Sequence, residues 1–395
     1  MKILPLLIAC TAALTNSLPA LEVKDGQFVR DGKEYRGIGI NYYDAFMRLL
    51  PNAEGRATKK PAYIDGFAYL ASQKVPFVRF AACGFYPAQM ELYQKNPEAY
   101  FELLDGVVKE AEEQGLGLIP SLFWSYFCVP DLVGEPISAW GDPASKTRDF
   151  MRRYTREVVG RYKDSPAIWG WEFGNEFLNE ADLPGPQNPG KWVVPKMRTA
   201  AVRTDKDKLA SEAALDAYRE FGEVVRTIDA KRPIFTGDAS PRVSSWNLAH
   251  GKGWTRDSRQ EWMDGLARAN PTDTINLHFY HPRRTGRGYE GYGLDGASLR
   301  DTLAAVQEVS QVTGKPTWFG EFGPGLGEMD VAERRAQVED FLELIEELRI
   351  PLSAYWVFDT PNHDLTVWNA APGNENAFVF DLIREANERL STQPR

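Results

Sequence analysis

The chain has 395 residues, 43% of them hydrophobic and 12% aromatic, with 11 Trp and a formal net charge of −9. An acidic chain without a basic stripe excludes nucleic acid and other polyanions as partners, because no Lys/Arg cluster supplies the counterion-release term. The length exceeds that of a usual domain but suits one barrel with long loops, and the apolar content suffices for a large core.

Met1-Lys2, the apolar stretch Ile3 to Leu14 and the small-residue end Ser17-Leu-Pro-Ala20 read as a secretory signal over residues 1–20, cut after Ala20. The apolar stretch is too short to span a bilayer. Leu7-Ile-Ala-Cys10 has the outline of a lipoprotein processing site, but the apolar segment before Cys10 is too short. Export to the medium or periplasm is therefore expected, with no membrane attachment after cleavage. Cys83 and Cys128 then remain. A disulfide between their loops and two buried free thiols are both compatible with an oxidising compartment.

Residues 21–395 read as a single domain. Val23 to Tyr35 carries two Asp-Gly turns between short alternating segments, which predicts a hairpin capping the bottom of a barrel. Eight strands are predicted beyond it: Arg36–Asn41, Phe77–Ala81, Leu116–Phe123, Ile168–Phe173, Pro233–Gly237, Thr274–Tyr280, Thr317–Glu321 and Leu352–Phe358. Helical periodicity lies between them at Ala62–Gln73, Glu98–Gln114, Ser145–Tyr162, Lys208–Asp229, Arg259–Arg268, Ala297–Thr313 and Val331–Leu348, with Phe378–Leu390 closing the chain. Eight strand-then-helix units predict an α/β fold, a parallel (β/α)8 TIM barrel with its short N-terminal β-hairpin. An open doubly wound sheet is the alternative, but no G-x-G-x-x-G follows the first strand. Loops after strands are long (42–60, 124–144, 177–207, 238–257, 281–296, 359–377) and loops before strands short, so the long ones crowd the rim where barrel active sites sit.

The chemistry concentrates at two strand ends. Ile168-Trp-Gly-Trp-Glu-Phe-Gly-Asn-Glu176 is a buried run ending in Asn175 and Glu176, and Pro316-Thr-Trp-Phe-Gly-Glu-Phe-Gly323 carries Glu321. A carboxylate at the tip of a greasy strand is not needed to fold it and is costly to bury alone. A rim ion pair would account for one such Glu. Two on separate strands of one barrel have the makings of a glycosidase acid and nucleophile, and Arg79 on the second strand is placed to be their cation. Trp192, Trp246, Trp254 and Trp368 fall in rim loops and serve equally as sugar-stacking faces or loop packing. Arg283-Arg-Thr-Gly-Arg287 reads as a solvated loop. His278 and His281 point to opposite faces of a strand, so no zinc site, no catalytic metal and no cofactor are expected.

Trp171-Glu-Phe-Gly-Asn-Glu176 together with Trp318-Phe-Gly-Glu-Phe-Gly323 resembles the retaining clan A glycoside hydrolases, most closely glycoside hydrolase family 5. The resemblance covers the mature chain from about Phe28 to the last helix. It implies that Glu176 is the acid/base, Glu321 the nucleophile, and Asn175 the residue that bonds the sugar 2-hydroxyl. Val78-Arg-Phe80 looks like the family's strand-two arginine, so Arg79 would hold Glu321 ionised. Leu277-His-Phe-Tyr280 looks like its strand-six pair, placing His278 near Glu176 and Tyr280 as a donor to Glu321. Trp356 looks like the tryptophan that floors the cleavage subsite. One departure is Phe123-Trp-Ser-Tyr126, where many members have a histidine; Trp124 replaces that contact or simply packs. Glu172, four residues before Glu176, makes an interior hydrogen bond and is similar to a position in the family's β-mannanases.

The expected protein is a monomeric retaining endo-β-glycosidase that cleaves β-1,4-linked polysaccharide, β-mannan or β-glucan, through a covalent glycosyl-enzyme. Two rivals remain: an exo-acting β-glucosidase, β-mannosidase or transglycosylase, and a non-catalytic carbohydrate-binding barrel. The last would normally lack one of the two carboxylates.

Overall fold

A computed structural model of the chain describes residues 20–51, 62–183, 192–281, 292–325, 327, 329–360 and 365–392. The predicted signal through residue 19, with Cys10, and the Arg283–Arg287 segment lie outside the described residues. Asp25-Gly26 and Asp31-Gly32 both have positive φ at each residue (51° and 74°, 56° and 67°), the geometry of two-residue hairpin turns. They join β1 (Glu22–Lys24), β2 (Gln27–Arg30) and β3 (Lys33–Glu34) into an antiparallel sheet, so the expected hairpin gains a third strand. Leu21 and Phe28 are fully buried in a cluster with Phe77, Trp169, Phe235, Trp318 and Leu352. The sheet is the floor of the barrel.

The barrel strands are β4 (Gly37–Asn41), β5 (Phe77–Ala81), β6 (Gly117–Phe123), β7 (Trp171–Gly174), β8 (Ile234–Phe235), β9 (Ile275–Tyr280), β10 (Thr317–Gly323) and β11 (Leu352–Tyr355). They pair in parallel in the order β8-β7-β6-β5-β4-β11-β10-β9, with the opening between β8 and β9. Each is followed by its helix: α1 (Ala62–Ser72), α2 (Pro97–Gln114), α3 (Lys146–Tyr162), α4 (Ser211–Arg226), α5 (Arg259–Arg268), α6 (Leu299–Thr313), α7 (Val331–Glu347) and α8 (Phe378–Thr392). Covered on both faces, the strands are buried along nearly their whole length, which is why the sequence shows continuous apolar runs. Among the described residues no helix is long and apolar enough to cross a membrane.

Two departures from the sequence reading bear on the site. The fifth predicted strand, Pro233–Gly237, shrinks to two residues, because Gly237 turns away at φ 76°. Two side chains and one backbone bond close the gap it leaves: Asn276 Oδ1 accepts from the Gly237 amide at 3.2 Å, Asp273 from the Ile234 amide at 2.8 Å, and the Ser240 amide donates to His278 O at 3.0 Å. The loops also hold short helices at Pro87–Lys95, Cys128–Val133 and Ser245–Ala249 that periodicity over so few residues does not reveal.

Cys83 and Cys128 are buried free thiols. Cys83 Sγ accepts from the Trp124 amide at 3.2 Å, Cys128 donates to Gly84 O at 3.6 Å, and burial pushes the Cys83 thiol up to about 12.

If β1–β3 form a true floor, Phe28→Ala removes a fully buried ring from that cluster. Chemical denaturation of the variant should show a loss of about 3 kcal/mol, the usual cost of truncating a core Phe. A loss below about 1 kcal/mol would mean that the sheet merely rests on the barrel.

Candidate active site

Strand register stacks the polar residues in one interior layer. Asn41 pairs with Arg79, Ser121 with Glu172, and Glu321 with His278 across neighbouring strands. Arg79 is fully buried at its centre. Its Nε donates to Glu172 Oε1 at 2.7 Å, Nη1 to Glu321 Oε1 at 2.7 Å and to Asn41 Oδ1 at 3.1 Å, and Nη2 to Asn175 Oδ1 at 2.8 Å. Trp124 lies against the guanidinium, 4.7 Å from ring centre to Cζ. Such a fork suits Arg and not Lys, since it fixes four partners in one plane. Burial works against the charge, but Glu172 and Glu321 carry the Arg79 pKa above its ordinary value. Glu172 is held on its other oxygen by Trp318 Nε1 at 3.0 Å, so it is the standing counter-ion.

Glu321 reaches this layer through an irregularity. On β10 the register with β9 shifts between Phe319 and Glu321, leaving Gly320 as an extra residue. Phe319 and Phe322 consequently both pack on Phe341 outside the barrel, at 5.7 and 5.5 Å, although they are three residues apart. The bulge turns Glu321 inward. Gly320 is required there, because a Cβ would lie 2.6 Å from His278 Nε2. Glu321 is 3% exposed and accepts from Arg79 and from the Tyr280 hydroxyl.

Glu176 stands just past β7 with left-handed backbone (φ 54°, ψ 36°), capping the short turn Phe177–Glu180. Its amide donates to Gly237 O at 2.9 Å. The side chain is 29% exposed, facing His278 Nδ1 through Oε1 at 3.1 Å and accepting from Asn179 Nδ2 at 2.9 Å through Oε2. Burial pulls the His278 pKa down to about 4, so the ring is neutral at ordinary pH. One oxygen each of Glu176 and Glu321 and a nitrogen of His278 lie within 4.8 Å of one another. The triad has donor types that metals use, but Arg79 already sits 2.7 Å from Glu321 and would repel a second cation.

Burial pushes both carboxyls above their ordinary value. At Glu321 desolvation outweighs the pull of the Arg79 cation, which acts toward the ionised form. The two are nonetheless unequal. Arg79 and Tyr280 donate directly to Glu321, whereas Glu176 has the neutral Asn179 and His278. Two carboxyls this close titrate as a pair, and the direct donors on Glu321 favour its ionised form.

The site opens into a cleft of about 860 Å³. Of the residues to which the family resemblance gives a role, Asn175, Glu176, His278, Tyr280, Glu321, Trp356 and Trp124 line it, and Arg79 bonds Glu321 and Asn175 from beneath. Trp356, Tyr43 and Trp124 form an aromatic wall, with Tyr43 5.2 Å from Trp356 and 5.7 Å from Trp124. Of the four rim tryptophans, Trp192 and Trp368 line the cleft. Trp246 packs on His250 at 4.3 Å beside a smaller cavity, and Trp254 is 60% exposed. His281 faces Asp340 outside the barrel, 3.2 Å away. Sequence reasoning missed Asn41, Tyr43, Asn179 and Asp238. A polar residue ending the apolar run Gly37-Ile-Gly-Ile-Asn41 was a signal available for the first; the others depend on loop conformation.

The family model described as Cellulase (glycosyl hydrolase family 5) matches residues 55–360. A putative mannan endo-1,4-beta-mannosidase 9 of Oryza sativa subsp. japonica is 27% identical over 217 residues, which is 48% of this chain and 51% of that protein. The match thus spans about half the length of that relative. Mannan endo-1,4-beta-mannosidase 7 of Arabidopsis thaliana is 23% identical over 81% of this chain and 72% of its own. Among solved structures, the endo-1,4-beta-mannanase from Rhizomucor miehei superposes with a TM-score of 0.66 at 16% identity, over 95% of this chain and all of that one, a likeness of fold.

Arg79→Met should cost about 3–5 kcal/mol, since it strands Glu172 and Glu321 without their cation. The sign with pH follows from the stranded acids. The native pKa of Glu321, already raised by burial, rises further above its unfolded value, so the variant's stability is greatest at low pH and is lost as pH climbs. Unfolding measured at pH 5 and pH 8 should show the larger loss at pH 8; equal losses would show that charge is not what Arg79 supplies.

Proposed function

On the premise that this chain belongs to the cellulase family, glycosyl hydrolase family 5, we propose that it is a retaining endo-β-1,4-glycanase acting on β-mannan. The observation that carries the reading is the pair of carboxyls, with oxygens within 4.8 Å and unequal partners. Retaining enzymes keep their carboxyls roughly 5–5.5 Å apart, and inverting ones leave roughly 6.5–9.5 Å for a water. So close an approach of the two oxygens supports the retaining arrangement.

Glu321, ionised, attacks the anomeric carbon while protonated Glu176 gives its proton to the leaving oxygen. Glu176 then removes a proton from the water that releases the sugar from Glu321. Asn175 has its carbonyl committed to Arg79 at 2.8 Å, which leaves its NH₂ to donate to the 2-hydroxyl beside the reacting carbon. Tyr280 shares the nucleophile's second oxygen, steadying it before attack and after release. Trp356, backed by Tyr43, offers a flat apolar face to the sugar being cleaved.

Mannan is favoured over glucan by two considerations. The relatives bear the name mannan endo-1,4-beta-mannosidase, and Glu172 stands four residues before Glu176 as in the β-mannanase segment that this chain resembles. Glucan is the second polymer to test. Long β-mannan should give mixed oligosaccharides whose first-formed reducing end is the β-anomer by NMR. Glu321→Ala should lose about 10⁴-fold or more in kcat on that polymer. Inverted product or near-normal activity in that variant would sink the assignment, and release of single sugars only would point to the exo-acting rival.

The raised carboxyls also set the pH dependence. Activity rises as Glu321 loses its proton and falls as Glu176 loses its own. The bell should therefore sit above the ordinary carboxylate range, and Glu176→Gln should remove its alkaline limb from whatever activity remains. An alkaline limb unchanged in that variant would assign the acid elsewhere.

A further inference from the structure

Besides Glu172, another carboxyl lies behind the catalytic pair, and a double displacement has no use for it. Asp238 follows Gly237 just beyond β8 and is 1% exposed. Both its oxygens are occupied: Oδ1 accepts from the Leu178 amide at 2.9 Å, and Oδ2 from the Tyr218 hydroxyl on α4. Leu178 belongs to the turn that Glu176 caps, and an amide at that position has no partner within the turn. Asp238 supplies one from the next strand. One residue further, Asn179 bonds back to Glu176 twice, its amide to Glu176 O at 3.1 Å and its Nδ2 to Oε2 at 2.9 Å.

We propose that Asp238 is a positioning residue for Glu176: by gripping the Leu178 amide it sets where Asn179 stands, and Asn179 sets the direction of the Glu176 carboxyl. The proposal rests on reading Glu176 as the proton donor. The need for such a grip follows from the barrel's weakest point. β8 has only two paired residues and no ladder to β9, so beyond Phe235 the end of β7 is laddered on its β6 side alone, where Gly174 pairs with Phe123. On the β8 side three single bonds take the place of a ladder: Thr236 O on the Gly174 amide, Gly237 O on the Glu176 amide and Asp238 on the Leu178 amide. A carboxyl is a costly choice for mere filling here. Burial, with the nearby charges of Glu176 and Glu172, pushes it up to about 7, against the donors from Tyr218 and Leu178. Its geometry matches a fixed acceptor with two donors.

The test compares kcat/KM, which reports the first displacement alone, on two substrates built from the same sugar. An oligosaccharide leaves as an alcohol and needs a proton; a dinitrophenyl glycoside leaves without one. Asp238→Ala should lower kcat/KM on the oligosaccharide by about 10–100-fold and on the dinitrophenyl glycoside by less than about threefold, a split characteristic of impaired acid catalysis. Asp238→Asn, whose carbonyl can still accept from Leu178, should restore most of the loss. Asn179→Ala removes the last link without touching the buried carboxyl and should show the same split, so the proposal stays testable if Asp238→Ala does not fold. Glu176→Ala is the benchmark. If it lacks the split, the assignment of Glu176 as acid is what has failed. If it shows the split while Asp238→Ala and Asn179→Ala depress both substrates equally, or neither, then Asp238 is structural and the proposal is overturned.

Discussion

A guanidinium sealed inside a barrel cannot shed its charge, and the arrangement of this site follows from where that charge is placed. Arg79 stands alone in the run Phe77-Val-Arg-Phe-Ala81, and its donors reach strands β4, β7 and β10 at once. Glu172 answers it permanently from within the wall, buried and bonded on both oxygens. Glu321 answers it from the edge of the cleft, where the same contact favours the ionised form that burial opposes. Asn175 is oriented by the fourth bond. One side chain thus sets the charge of one carboxylate and the direction of an amide, while neutralising a second acid that never meets solvent.

Two backbone irregularities turn this charge layer into a site. Alternation along β10 would send Glu321 out toward the helices with Phe319, and the extra residue Gly320 reverses it. The left-handed backbone at Glu176 lifts its carboxyl off the strand axis and into the mouth of the cleft. Non-glycine residues hold that conformation only where their surroundings over-determine it. Here the surroundings are the Gly237 carbonyl, the Asn179 amide and the side chains of Asn179 and His278. The gap between β8 and β9 is the counterpart of this arrangement. Because Gly237 leaves the sheet early, its carbonyl and the following Asp238 are free to serve the turn after β7, and Asn276 and Asp273 close what the ladder does not.

The paired carboxyls and the walls of the cleft belong to different parts of the molecule. Carboxyl spacing and partnering are interior properties, set by strand register and buried charge. The walls of the cleft are made differently, with Trp192, Trp368, Tyr43 and Tyr292 carried by loops of unequal length. Function on this fold resides in such grafted surfaces and not in the barrel.

Much of this was legible in the chain. Eight apolar runs alternating with amphipathic helices implied the barrel, because strands covered on both faces must be apolar throughout. Carboxylates at two strand tips implied the chemistry, because nothing in folding calls for them there. The Asp-Gly pairs implied the floor, since both residues had to take positive φ. Other features needed the assembled structure. A one-residue bulge leaves no mark in a run as uniform as Trp318-Phe-Gly-Glu-Phe322, yet it decides which way Glu321 points. The rise in the Glu321 pKa comes from depth of burial, which no neighbour in sequence reports. Asp238, 62 positions after Glu176 in the chain, meets the turn beyond it only because β7 and β8 lie side by side. Sequence determined which groups were present and on which strands, through local periodicity and the cost of burying charge. Only the tertiary structure decided how they face one another, because direction and desolvation come from contacts between distant segments.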